Sequence, residues 1–136
     1  MNILVALDDS TFARKALSSA LALARLESSR VILLAVIPQL GAIDEVSPRM
    51  TEKLKSEAES LLAEASKTAE AADVQVESVL EQGVSPADNI ITLAGERGID
   101  LVILGHRGRS NLEKFLLGSV ALRTVSHAPC SVMVVK

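Results

Sequence analysis

Five short runs of aliphatic, mostly β-branched residues recur along the chain: NILVAL at 2–7, RVILLAVI at 30–37, VQVESVL at 74–80, DLVILG at 100–105 and SVMVV at 131–135. Three of them are apolar nearly throughout instead of alternating. A strand with two apolar faces needs cover on both, and helices packed on the two sides of a parallel sheet supply it. The run at 74–80 alternates Val74, Val76 and Val79 with polar residues, which places it nearer an edge.

The intervals between these runs carry helical spacing. Ala13, Ala16, Leu17, Ala20 and Ala24 fall on one face behind a Ser10-Thr11 cap. From about 48 to 72, Leu54, Ala58, Leu61, Leu62, Ala65 and Ala69 make one stripe, with Lys, Glu and Ser opposite as a solvated face. A third helix opens on Ser85 and Pro86, aligns Ala87, Ile90, Ile91 and Ala94, and stops at Gly98. A fourth begins near Gly118-Ser119 and ends before Pro129. Alternating strands and helices with right-handed crossovers define a doubly wound α/β fold, a five-stranded parallel sheet with helices on both faces, and the strand order expected for it is 3-2-1-4-5. At 136 residues, with no repeat or linker, the chain is expected to form one domain over 1–136, and 38–48 reads as a long surface loop.

Bulk properties narrow the function. The net charge of −3 opposes a general nucleic-acid or membrane-surface binder, each of which needs a broad positive field. Phe12 and Phe115 are the only aromatics besides histidine, so platforms for stacked bases are scarce. Cys130 is the sole cysteine, which removes internal disulfides and Cys-based metal sites and points to a reducing, cytoplasmic setting. The opening MNILVALDDS holds too short an apolar run for a signal peptide or a membrane span.

Ligands of open parallel sheets gather beyond the carboxyl ends of the strands, where connections diverge to opposite faces. Two strand ends carry chemistry: ALDDS at 6–10 and the segment GHRGRSNLEKFLLGSV at 105–120. In the order 3-2-1-4-5 they are neighbours. Gly105 and Gly108 let backbone N–H groups approach a bulky anion, and Gly118-Ser119-Val120 presents the unpaired N–H groups of a helix start. His106, Arg107, Arg109 and Lys114 add local positive charge. The residues alone also fit a plainer reading in which the glycines turn the chain, Ser119, Asp8, Asp9 and Ser10 cap helices, and the basic residues are solvated.

The spacing Gly, two residues, Gly, nine residues, Gly, Ser is filled by Gly105, Gly108, Gly118 and Ser119. In this the sequence resembles the ATP-binding branch of the universal stress protein family. ILVALDDS resembles that family's opening strand, VILLAVI its second, DLVILGHRG its fourth and HAPCSVMVV its close, so the likeness covers essentially the whole chain. It implies a Rossmann-like fold of universal stress protein type. It also implies adenine and ribose near Ala6, Leu7, Asp8 and Val36, with Leu104 and Gly105 on the opposite wall. The triphosphate would then lie against Gly108, Arg109, Gly118, Ser119 and Val120, accompanied by a divalent cation such as Mg²⁺.

Other chemistries lack their motifs. There is no Gly-Lys-Ser/Thr phosphate loop, no G-x-G-x-x-G fingerprint and no Ser-Gly-Gly after the first strand, and the Ser, His and Asp residues show no triad spacing. His127 reads as a cation near a helix C-terminus, and Cys130 as an inert, small buried thiol. The expectation is a nucleotide-dependent regulatory or stress-response module with at most slow ATP hydrolysis, its occupancy ordering the loop 105–118 for a protein partner. The competing readings are an interaction protein acting through a dimer surface without nucleotide, and a genuine ATPase. Strand 131–135, an apolar edge, is expected to pair with its copy in a homodimer, a likeness to the family that points the same way.

Overall fold

The computed structural model describes residues 1–39, 48–108 and 117–136. The strands are β1 (Asn2–Leu7), β2 (Arg30–Pro38), β3 (Val76–Gly83), β4 (Leu101–Gly105) and β5 (Ser131–Val135). Between them run the helices α1 (Thr11–Glu27), α2 (Pro48–Ala71), α3 (Pro86–Glu96) and α4 (Ser119–His127). The strands form one sheet in the order β3-β2-β1-β4-β5, and every pairing is parallel. The expected architecture is therefore the observed one.

Why the central strands are apolar throughout is visible in how their side chains divide. Ile3, Val5 and Leu7 of β1 and Val31, Leu33 and Ala35 of β2 join the core beneath α1 and α2. Leu4, Ile32, Leu34, Val102 and Leu104 join the opposite core beneath α3 and α4. Successive side chains of a strand point to opposite faces, so a sheet covered on both sides leaves no position for a polar residue at its centre. Ala16 and Ala20 of α1 are fully buried, and their small side chains let that helix lie close on the sheet.

Two boundaries differ from the sequence reading. The third strand begins at Val76, not Val74, and continues through Glu81 and Gln82 to Gly83. Val74 is only 8% exposed, but its N–H donates to the Ala69 carbonyl at 2.9 Å, so it closes the end of α2 instead of extending the ladder. Glu81, Gln82 and Gly83 pair with Val36, Ile37 and Pro38 through backbone groups, which an edge strand does without apolar side chains. In α3, Leu93 takes the buried position expected for Ile91, which is only half-buried.

Helix α2 is buried at Leu62, Ala65 and Ala69 but only half-buried at Leu54, Ala58 and Leu61. Its 24 residues extend about 36 Å, longer than the roughly 30 Å of the nine in β2. The crossovers carry the N-termini of α1, α3 and α4 to the carboxyl end of the sheet, where the site lies.

Candidate functional site

At the carboxyl ends of β1, β2 and β4 a cavity of about 270 Å³ opens between α1 on one side and α3 and α4 on the other. Its deeper wall is apolar: Ala6, Leu34, Val36 and Leu104 from the strands, with Ile90 of α3 and Ala121 of α4. Its rim is polar and backbone-rich, made by Asp8, Ser10, Arg107, Gly108, Gly118 and Ser119. Such a division suits a ligand with a flat apolar portion and an anionic portion.

Local sequence builds the rim. The Ser10 hydroxyl accepts from the Ala13 N–H at 3.1 Å, and the Asp8 carboxylate accepts from the Ser10 N–H at 2.8 Å. The other Asp8 oxygen faces Gly108, where an added Cβ would stand 2.8 Å from it. Glycine at 108 therefore lets the β4 segment close on the β1 segment. On the far side Gly118 is the N-cap of α4 with extended backbone (φ −60°, ψ 155°) and supplies no side-chain cap. Its own N–H donates to the His106 carbonyl at 2.9 Å, and a Cβ on it would lie 3.2 Å from the Arg107 Cα. The N–H groups of the next residues point outward from the helix start with the positive end of the helix dipole behind them.

Of the residues singled out in the sequence, Ala6, Leu7, Asp8 and Val36 line this cavity, as do Leu104, Gly105, Arg107 and Gly108, and Gly118, Ser119 and Val120. His106 does not line it; its N–H donates to the Val135 carbonyl at 2.7 Å, and its ring tilts toward Phe12 with centroids 6.0 Å apart. Arg109 and Lys114, the loop expected at 38–48 beyond Gln39, and most of the segment 105–118 after Gly108 lie outside the described residues.

The sequence reading left out Ser10, Ala13, Leu34, Pro86, Ile90 and Ala121 as cavity residues, with Ser10 read only as a helix cap. Pro86 carried a signal, because it follows β3 at the same sheet end as the other loops. Ile90 and Ala121 carried none beyond helical periodicity, which marks core and ligand wall alike.

The remaining titratable candidates sit elsewhere. His127 is exposed in the last turn of α4, its Nδ1 3.1 Å from the Arg123 carbonyl. Cys130 is half-buried, and burial pushes its thiol pKa up, with Asp100 adding to the rise, against an opposing backbone hydrogen bond at Val102. No helix of the described residues is long and apolar enough to cross a membrane.

Fold and crevice define a class: a doubly wound parallel α/β protein with a mixed apolar and backbone-lined site at its β1/β4 switch point. Comparison with known proteins makes the class specific. The universal stress protein family model matches residues 1–136, so the chain belongs to that family. It is 33% identical over 138 residues to universal stress protein MJ0531 of Methanocaldococcus jannaschii, covering 98% of this chain and 81% of that protein. Universal stress protein UspA from Lactobacillus plantarum superposes with a TM-score of 0.89 at 25% identity, covering 100% of this chain and 97% of that one. The universal stress protein from Archaeoglobus fulgidus, solved in complex with dAMP, gives 0.78 at 25% identity, with 100% and 98% covered.

Proposed function

We propose that this universal stress protein binds ATP in the crevice and works as a nucleotide-dependent regulatory module, with at most slow hydrolysis. The observation that carries the reading is the uncapped start of α4: Gly118, Ser119 and Val120 border the same cavity as Gly108 and Arg107. An anion placed there accepts from helix N–H groups that otherwise have only water. The apolar wall of Ala6, Leu34, Val36 and Ile90 suits the base, and Asp8 is within the rim to accept from ribose hydroxyls. The dAMP complex of the Archaeoglobus fulgidus relative supports an adenine nucleotide as the ligand class. A Mg²⁺ accompanying the ligand would take oxygens from the phosphates and water.

Titration calorimetry with ATP tests this. Wild-type protein is expected to bind, and Gly118→Val to lose binding while keeping its far-ultraviolet circular dichroism. Equal affinity in the two proteins would remove the clasp. A fast turnover of ATP that Ser119→Val abolishes would instead make the protein an ATPase.

A second reading has its own observation. Beside the free edge of β5, Met133 is 39% exposed, and Leu122 and Val125 of α4 are 55% and 48% exposed. These exposed apolar side chains, on the edge strand and on the helix beside it, fit a homodimer in which β5 pairs with its copy, in a cytoplasmic protein that acts through this edge. Light scattering at low concentration decides: a monomer mass counts against it.

A further inference from the structure

Phe12 occupies the second position of α1, and its ring belongs to neither hydrophobic core. What it touches is the segment after β4. The Arg107 guanidinium lies over the ring at 5.2 Å from its centroid, Lys15 Nζ approaches it at 5.6 Å, and the His106 ring stands 6.0 Å away at 55°. The Arg107 and Lys15 distances are within the range in which a cation is drawn to an aromatic face. Gly105 makes the approach possible, since a Cβ there would fall 2.7 Å from the Phe12 Cβ and 2.8 Å from its carbonyl carbon.

Arg107 also lines the cavity beside Gly108 and Gly118. An arginine side chain has many rotamers, and a ligand that recruits it must fix one of them. The aromatic face removes part of that cost before the ligand arrives. We propose that Phe12 is a positioning residue for anion binding: it holds Arg107 on the first turn of α1 and so presents the guanidinium to the phosphate end of the crevice. The assignment rests on the nucleotide reading above. It explains a large aromatic side chain at a half-buried position that neither core uses. It also makes the benefit depend on the ligand's phosphates, not its base.

A double-mutant cycle tests it, with ATP and adenosine as the two probes, on Phe12→Leu, Arg107→Gln, the double variant and Phe12→Tyr. Phe12→Leu is expected to weaken ATP about three- to tenfold, the range of one cation–aromatic contact, and to leave adenosine within about twofold. Phe12→Tyr should restore ATP affinity, because the face is retained. In the Arg107→Gln background Phe12→Leu should have almost no further effect, since the two residues act as a unit. Without ligand, the Arg107 δ-protons should show an upfield ring-current shift that Phe12→Leu abolishes and Phe12→Tyr keeps.

Equal weakening of ATP and adenosine, additive losses in the cycle, or an unshifted Arg107 in the wild type would overturn the assignment while leaving nucleotide binding in place. Wild-type protein that binds neither probe overturns the nucleotide reading and this role together.

Discussion

Helices α1 and α4 both begin at the crevice, and their first turns are finished differently. At α1 the chain closes on itself: the Ser10 hydroxyl takes the Ala13 N–H, and the Asp8 carboxylate takes the Ser10 N–H. At α4 the cap is Gly118, which has no side chain to offer. Helix α3 is intermediate, with an unused Ser85 hydroxyl and Pro86, which has no N–H. Dipoles of similar sense converge on one cavity, yet the start of α1 is closed by its own side chains while that of α4 leaves its donors to an outside acceptor. A helix N-terminus alone therefore says little about anion binding; what matters is whether the sequence has already supplied the anion.

Driving the end of β4 into the start of α1 should have the largest effect. Gly105→Val drives side-chain atoms into the Phe12 backbone, where even a Cβ would be 2.8 Å from the carbonyl carbon. The expected loss is about 3 kcal/mol of unfolding free energy, measured by urea denaturation. Closing α4 as α1 is closed comes next. Gly118→Asp supplies a cap and a like charge, and ATP affinity should fall roughly 100-fold, about 2.7 kcal/mol. Gly118→Ala, which adds the Cβ but no acceptor, should fall clearly less; equal losses would mean that crowding at Arg107 explains both.

Opening α1 is the converse experiment. Ser10→Ala should cost about 1 kcal/mol of stability, the usual worth of such a cap, and leave ATP affinity within about threefold by calorimetry. A large affinity loss would show that the closed helix start also contacts ligand.

The smallest effect lies at the other end of the sheet and separates fold from site. There Glu77 receives Arg97 at 2.7 Å and Arg30 at 3.3 Å. The Arg97 hydrogen bond, more than the charges of Arg97 and Arg30, holds the Glu77 pKa below the usual glutamate range against a weaker opposing effect of burial. A depressed carboxylate pKa contributes stability above the unfolded-state value that fades as pH falls through the folded value. The groups are solvent-exposed, so the contribution is small and salt-sensitive. Glu77→Gln should lower the melting temperature slightly at neutral pH and flatten its decline under acid conditions. ATP affinity near neutrality should not change.

The sequence carried the fold well because its strongest signals are those physics imposes on a doubly covered sheet. Leu4 and Val5 can both be apolar only if both faces are covered, and this makes strands such as β1 and β2 easy to read. The end of β3 was missed because an edge ladder asks for backbone groups, and Glu81 and Gln82 supply them as well as valine does. At the site, glycine spacing marked the rim, since Gly105 and Gly118 stand where a Cβ would meet neighbouring backbone. The apolar wall was harder: Ile90 is 1% exposed, and nothing in its spacing distinguishes a residue that faces a cavity from one that faces only its core. Phe12 was noted only as one of two aromatics, because Arg107, the partner that gives its ring a purpose, lies 95 residues away.

The charged border along β3 has a consequence for how copies of the chain meet. Its outer strand presents Glu77 held between two arginines, together with Glu81 and Gln82, while the opposite margin, β5, is mostly valine. Lateral growth of a sheet into a fibre requires each added molecule to offer a fresh receptive margin. Here the β5 margin is apolar and the β3 margin carries Glu77 with its arginines, Glu81 and Gln82, so a copy that met β3 would find charged and polar side chains in place of apolar cover.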